Sequence, residues 1–407
     1  MLDDYKSTYR WFILALTAIT GTLVATIGFS CMPALFKEIS DDLGLSLVQV
    51  GTVWGIASLA GIFVSLIGGV LGDRFGVKLI LTASCILAGI TGASRGLSNS
   101  FLTLLVTVFI NGIVRLIIPI NLTKTVGVWF KGQNLGMAMG ISAIGMGLGL
   151  MLGPLISATI LSPSLGGWRN VMYLYGAVSV AVGIIWFLFS REPRQVDSTT
   201  EYAGAVPFRQ AFSQLIRTKA LWLIGLTLLF RVGCTMGMTG YLPLYLRELG
   251  WPVASADGTL AAYYAISTVC VVPLTFLSDR IGSRKAILFP ALIVSIVCLG
   301  LLPFVEGATV WALMILAGIF MDSFMAISVT MLLETEGVGR AYSGTALGIV
   351  FTIAQIGSVA SPPLGNSLAS INPGVPFIFW AALSGLALIA LAFTKETGWR
   401  KSKATRL

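Results

Sequence analysis

Long apolar runs, each about twenty residues or more, recur along this chain from end to end, separated by short breaks of charge, glycine or proline. A helix needs about 20 such residues to cross the hydrocarbon of a bilayer, and its backbone survives there because every N–H and C=O is bonded within the segment. Only 11% of the 407 residues are charged and 56% are hydrophobic, where a soluble domain carries about 25% charged residues. The pattern excludes a soluble fold and predicts an all-α membrane protein. Runs near 11–36, 48–72, 78–96, 100–129, 134–162, 169–190, 220–246, 256–279, 285–304, 309–333, 342–370 and 375–394 give twelve transmembrane helices. No sizeable soluble domain remains, so function must sit among the helices.

The charges report topology. Nineteen of the 26 Lys and Arg fall in the segments that share a side with both termini; Lys37, Arg95, Arg169 and Arg247 are assigned to the opposite loops, and Arg115, Lys124 and Arg231 lie within spans. The positive-inside rule then places both termini in the cytoplasm, with the plasma (inner) membrane as the expected location. The net charge of +9 is spread over loops and a basic tail without interleaved aromatics, so no nucleic-acid partner is expected. The N-terminal MLDDYKSTYR leads into a full-length span without a cleavage pattern, and the first helix reads as retained. Cys31, Cys85, Cys234, Cys270 and Cys298 all fall in apolar runs without CxxC spacing, which points to small buried side chains and not to a disulfide frame or a zinc site. The chain has no histidine, the common metal ligand and near-neutral proton carrier. No metal and no cofactor is expected, and any proton coupling must use a carboxylate.

The chain repeats itself. GGVLGDRFGVKLIL (68–81) matches TFLSDRIGSRKAIL (275–288), aligning Asp73-Arg74 with Asp279-Arg280, and Gly140, Gly149 and Gly153-Pro154 are mirrored by Gly348, Gly357 and Ser361-Pro362. Offsets of 206 and 208 residues indicate two six-helix bundles related by a pseudo-two-fold axis along the membrane normal. The expected organisation is an N-terminal bundle (1–190), a cytoplasmic linker (191–219) whose segment 206–219 has the pattern of an interfacial amphipathic helix, a C-terminal bundle (220–394) and a basic tail (395–407).

Over essentially its whole length the chain resembles the major facilitator superfamily. The carrying match is Gly69-x-Leu71-Gly72-Asp73-Arg74-Phe75-Gly76-Val77-Lys78, similar to that superfamily's loop motif between its second and third helices, with a second copy at Asp279-Arg280-Ile281-Gly282-Ser283-Arg284-Lys285. Val77 stands where the motif usually has a base. Asp73, Arg74, Asp279 and Arg280 become gating candidates, against the plainer reading of turns with topology-setting charges. The fifth-helix pattern resembles a glycine-proline motif associated with antiporters, ending here in Ser157-Ala158; its repetition in the eleventh helix favours a packing device over a marker of exchange. Pro119-Ile120-Asn121, Lys124, Trp129-Phe130 and Gly136-Met137-Ala138 are loosely similar to organic-anion branches. The fourth-helix arginine of proton-coupled members is replaced by Val108.

Arg115, Arg231 and Asp322 each lie near the middle of a span, where such a group costs roughly 2.5–3.5 kcal/mol. They sit about 15, 11 and 13 residues into their helices, or roughly 22, 17 and 20 Å at 1.5 Å per residue. The resemblance implies that the first, fourth, seventh and tenth helices line a central cavity, which brings all three to one site. Three readings stay open: a structural ion pair, two cations and one carboxylate whose surplus charge an anionic substrate completes, or Asp322 as ligand for a cationic or neutral substrate. Helical spacing adds Asn111 and Pro119 near Arg115, and Thr227, Thr235, Met238 and Tyr245 near Arg231; Tyr263, Tyr264, Gln355 and Asn366 are further polar candidates. Aromatics and methionines at such positions more commonly pack than bind. Lys124 falls about 180° round from Arg115 and is assigned to the inner surface.

The sequence thus reads as a secondary active transporter and not an enzyme, moving a small carboxylate-like anion by alternating access. Arg115, Arg231, Asn111, Thr235, Tyr245, Tyr264 and Gln355 are its substrate-binding candidates, and Asp322 its proton-coupling group in a symport. The alternative is an antiporter or drug exporter. The expected partners are the anion, a proton and membrane lipids, and the expected state is a monomer.

Overall fold

The computed structural model describes residues 2–130, 133–191, 208–335 and 338–398, with the backbone alone at 2–8, 63, 65–73, 133, 208–211 and 339–341. Among the described residues every regular element is helical. Eleven helices are long and apolar enough to cross a membrane: α1 (Tyr9–Leu43), α3 (Val77–Leu97), α4 (Phe101–Trp129), α5 (Asn134–Leu165), α6 (Trp168–Phe189), α7 (Lys219–Glu248), α8 (Val253–Ile281), α9 (Lys285–Phe304), α10 (Ala308–Leu333), α11 (Tyr342–Ser370) and α12 (Val375–Phe393). Between the first two of these runs α2, Leu47–Phe75, completes the expected set. Of the linker, only a short helix, Phe208–Leu215, and the residues around it are described; most of 191–219 and the end of the 395–407 tail lie outside the described residues.

Two expectations need correction. The first helix does not stop near 36. It runs on because Lys37 and Asp41, one turn apart, pair at 2.7 Å, and it ends only where Gly44 takes a left-handed φ of 63°. The tenth span is not one helix. It is a piece Ala308–Gly318 and a piece Met321–Leu333, interrupted at Ile319–Phe320 without a proline. A Cβ on Gly318 would lie 2.5 Å from the Tyr263 carbonyl of α8, so the two backbones touch at the break. There the Asp322 N–H leaves the helical ladder and donates to the Ser267 hydroxyl at 3.0 Å, which keeps a donor released by the break from being orphaned in apolar surroundings.

The glycine pattern of α5 is a packing surface against α1. Cβ atoms added at Gly145, Gly149 and Gly153 would lie 2.0–2.5 Å from α1 atoms, and into that contact α1 sends three hydroxyls: Thr22 to the Gly145 carbonyl (2.6 Å), Thr26 to Met146 (3.0 Å) and Ser30 to Gly149 (2.9 Å). Small residues let backbones approach, and hydroxyl bonds between helices take the place of a hydrophobic force that lipid cannot supply. The α11 copy does the same to α7: a Cβ on Gly357 would meet the Leu229 carbonyl at 2.0 Å, and one on Gly233 the Gly357 carbonyl at 3.0 Å.

The first six helices meet the last six at the end of the bundle remote from where the chain enters α1 and leaves α12. Glycines make the approach there: Gly51 and Gly55 of α2 against the backbone at Pro362 and Val359 of α11, and Gly147 of α5 against Thr268 of α8. The Asn366 amide donates to the Leu47 carbonyl at 2.9 Å and the Trp54 indole to the Met236 carbonyl at 2.7 Å. At the other end, Gly127, Gly136, Gly140 and Gly344 have nothing within 4 Å of an added Cβ.

This separates motif glycines that sequence treats alike. Gly357→Val should destabilise the purified protein by more than about 2 kcal/mol through overpacking, whereas Gly140→Val should fold normally; thermal unfolding in detergent distinguishes the two, and equal losses would contradict the packing account.

Candidate functional site

The three midplane charges are held by different partners in the two halves. Arg115 of α4 turns towards α1, donating to the Ala25 carbonyl at 2.9 Å and lying over the Phe29 ring at 4.3 Å from its centroid. Phe29 stacks on Trp54 at 4.4 Å, 18° from parallel, and Trp54 is the residue that bonds the α7 carbonyl of Met236. A continuous stack therefore leads from the Arg115 guanidinium to the helix that carries Arg231. Cation–ring attraction grows when the pair is removed from water, so the stack offsets part of the cost of burying the charge.

Arg231 is 4% exposed and lies 5.4 Å from the centroid of Phe324, two residues beyond Asp322 on α10. Asp322 is half-buried at the start of the second α10 piece, where unsatisfied N–H groups favour a negative charge. Its Oδ2 accepts from the Ser267 hydroxyl at 2.6 Å, so this serine both holds the carboxylate and accepts the diverted Asp322 N–H. Tyr263, beside it on α8, is within electrostatic reach of both Arg231 and Asp322. Yet no ion pair forms. Among the described residues no carboxylate is within 4.0 Å of Arg115 or Arg231, and no cation that close to Asp322. The structural-pair reading of these charges has no support in the geometry.

The other candidates divide. Thr235 donates to the Arg231 carbonyl at 3.1 Å and its hydroxyl also meets that of Tyr263 on α8, whereas Thr227 donates to the Leu223 carbonyl of its own helix. Tyr264 is buried and meets Tyr263 at 5.6 Å. Gln355 of α11 reaches across the halves: its amide nitrogen would be 2.2 Å from a Cβ on Gly61 of α2, beside Leu116 of α4. Asn111 donates to the Ala88 carbonyl and the Thr91 hydroxyl of α3, at 3.1 and 3.2 Å. Tyr245 and Met238 belong to an aromatic and apolar cluster with Tyr241, Phe377 and Trp380, away from the charges. Asn366 joins the halves at Leu47, and Pro119 lies inside α4 one turn beyond Arg115. Lys124 is partly buried.

Two buried guanidiniums escaped the sequence reading, which placed Arg95 and Arg247 in loops. Arg95 is 4% exposed and folds back into the first bundle, with Nε on the Gly92 carbonyl (3.0 Å) and Nη1 on that of Gly28 (2.8 Å). Arg247 pairs with the fully buried Asp257 at 2.5 Å. The signal available was position: each arginine follows an apolar run by less than a turn, close enough for a long side chain to turn inward. Ser267, 55 residues from Asp322, left no local signal.

At the near end, Asp73 has its side chain outside the described residues, and Arg74 is exposed over the Phe75 ring. The second copy shows its chemistry. Asp279 pairs with Arg284, which also holds Glu334 at the end of α10 through two bonds of 3.0 and 2.6 Å. Arg280 is exposed. Glu396, beyond α12, accepts from the Ser283 hydroxyl (2.6 Å) and from the backbone N–H groups of Arg284 and Lys285. The α8–α9 turn, the end of α10 and the chain after α12 are thereby tied together. Burial alone would raise the Glu396 carboxyl, but the Ser283 hydroxyl and three backbone N–H groups outweigh it and hold it below the usual glutamate range.

A family model described as the Major Facilitator Superfamily matches residues 18–261 and 248–406. Among curated relatives, the chain is 24% identical to a probable nitrate/nitrite antiporter of Thermus thermophilus, over 93% of this chain and 90% of that protein. It is 25% identical to a probable sulfoacetate transporter of Cupriavidus necator, over 87% of each, and 28% identical to a multidrug resistance protein of Enterobacter lignolyticus, over 98% and 93%.

The depressed Glu396 gives a pH test with a defined sign. A carboxylate held below its unfolded value contributes stability above that value, about 4.3, and loses the contribution as pH falls through the folded one. Glu396→Gln should lower the thermal stability of the purified protein at neutral pH by about 1–2 kcal/mol, as expected for bonds to a charged acceptor. The gap to the unmodified protein should close as pH falls below about 4, through the folded value; a gap independent of pH would contradict the assignment.

Proposed function

Because the chain belongs to the major facilitator superfamily and is thus an integral membrane transporter and not an enzyme, we propose that it moves a small organic anion by alternating access, coupled to a proton. The carrying observation is that Arg115 in one half and Arg231 in the other are buried or partly buried without a carboxylate partner, at a depth where unpaired charge is costly. A substrate anion supplies the missing partner. An arginine fork donates two parallel hydrogen bonds to a carboxylate, and a site with one arginine in each half can close around its ligand and still release it when the halves part. The sulfoacetate transporter and the nitrate/nitrite antiporter among the relatives favour an anionic cargo.

Arg231 is the principal ligand and Arg115 the contribution of the first half, with Thr235, Tyr264 and Gln355 close enough to shape the site; Asn111 acts by fixing α4 on α3, and Tyr245 by packing. Asp322 carries the proton. Among the described residues the carboxylate bonds only the neutral Ser267, so an anion arriving beside Arg231 repels the ionised carboxylate and favours its protonation. Substrate and proton then cross together. Asp279 and Arg280, with Asp73 and Arg74, belong to the movement of the halves. The first six and the last six helices form the two moving bundles, joined by the linker. The protein acts as a monomer among membrane lipids in the inner membrane, with both termini cytoplasmic, in keeping with the bias of basic residues to that side.

A second reading follows from the same unpaired Asp322 and from the multidrug relative: an exporter that takes cationic compounds on this carboxylate. The test is transport into proteoliposomes. Arg231→Gln should weaken anion binding about ten- to a hundredfold, the loss of one charge-assisted contact of roughly 1.5–3 kcal/mol. Asp322→Asn should abolish accumulation against a gradient yet leave anion exchange; undiminished uphill uptake by this variant would contradict proton coupling through Asp322.

A further inference from the structure

Behind Arg115, within the first bundle, α1, α3, α4 and α6 line a partly open cavity of about 20 Å³, whose wall includes Gly28, Gly92, Arg95, Asn111, Arg115 and Ser179. Two guanidiniums share it, near enough to repel one another. Among the described residues no Asp or Glu lines it, and neither arginine has an ion pair. The acidic groups near it are committed as neutral donors: the Tyr175 O–H of the wall donates to the Ser157 hydroxyl at 2.7 Å, which itself donates to the Gly153 carbonyl, and the Cys31 S–H donates to the Gly28 carbonyl at 3.4 Å.

Each guanidinium is fixed by part of its donor set and leaves the rest over. Arg95 uses Nε and Nη1 on the Gly92 and Gly28 carbonyls. Its Nη2 has no such bond and stands 3.5–3.7 Å from where Cβ atoms on Gly92 and Gly28 would be, which is what keeps it uncovered. Arg115 uses Nη1 on Ala25. Two other polar groups of the wall are already bonded: the Asn111 amide donates to the Ala88 carbonyl and the Thr91 hydroxyl, at 3.1 and 3.2 Å, and the Ser179 hydroxyl to the Cys85 carbonyl at 2.7 Å. Two like charges in a medium of low dielectric repel strongly, and an anion between them, accepting from the spare N–H donors, relieves that repulsion.

We infer that this cavity binds a small inorganic anion of about the size of chloride, held by Arg95 and Arg115 as a resident component of the first bundle. The volume decides the size class. About 20 Å³ is room for one water-sized particle, which suits a halide better than an organic carboxylate and sets this ion apart from the transported substrate. With one anion against two guanidiniums, one positive charge remains on the first half for the central site. The inference stands without the proposed cargo: a protein that moved no carboxylate could still hold this ion.

The test uses the full-length purified protein. Replacing gluconate by chloride at constant ionic strength should raise the thermal unfolding temperature saturably, by roughly a few degrees at a hundred times the Kd. Arg95→Gln, which alters no residue assigned to the substrate, should remove that response. Crystals of the unmodified protein grown with bromide should show an anomalous peak between Arg95 and Arg115, a readout that does not depend on the variant folding. Equal unfolding temperatures in chloride and gluconate, a chloride response that persists in Arg95→Gln, or a bromide-soaked cavity without a peak would each overturn the inference.

Discussion

A guanidinium in the middle of a bilayer must find a partner, because neither lipid nor water meets its hydrogen bonds there. This constraint organises the rest of the molecule. Arg115 meets it with a backbone carbonyl and an aromatic face, Arg95 with two carbonyls, and Arg231 with the face of Phe324. None of these is an anion. They satisfy part of the donor set and none of the charge, which leaves the centre of the protein positive on both sides of the interface between its halves.

Holding such groups still requires helices that approach to backbone contact. Glycines on α5 and α11 supply the approach to α1 and α7, and hydroxyls from α1 bond the exposed carbonyls. The same economy of side chain operates at the α10 break, where Gly318 rests on Tyr263 and Ser267 takes over both the stray N–H and the carboxylate of Asp322. The broken helix is therefore braced by α8, not loose. Because Trp54 links the Phe29–Arg115 stack to the backbone of α7, a change at the Arg115 guanidinium is mechanically connected to the contact that closes the far end. This is the link between site and gate that the proposed alternating-access cycle requires.

Much of this was legible in the residue order. Period and length located the spans to within a few residues except at α1, whose extension rests on the Lys37–Asp41 pair and the Gly44 cap, and at α10, whose break is imposed by packing on α8. The glycine repeat was readable as packing, but not which of its members touch: Gly149 meets α1 and Gly140 meets nothing. That Arg115, Arg231 and Asp322 lie within apolar spans was also readable. Their orientation was not, since which way a side chain turns depends on tertiary neighbours. Arg95 and Arg247 were misplaced for that reason, being assigned to water by their position after an apolar run when each turns back into its bundle. Ser267 could be found only from the fold.

The central claim is that the unpaired positive charge of the core exists to receive an anion. Counterflow in proteoliposomes tests it most directly, with the protein preloaded with unlabelled small carboxylates, phosphates or lipophilic cations in turn and challenged with labelled carboxylate outside. The account expects transient accumulation of label driven by carboxylates and not by cations. Counterflow of a labelled lipophilic cation, with none for any anion, would contradict it.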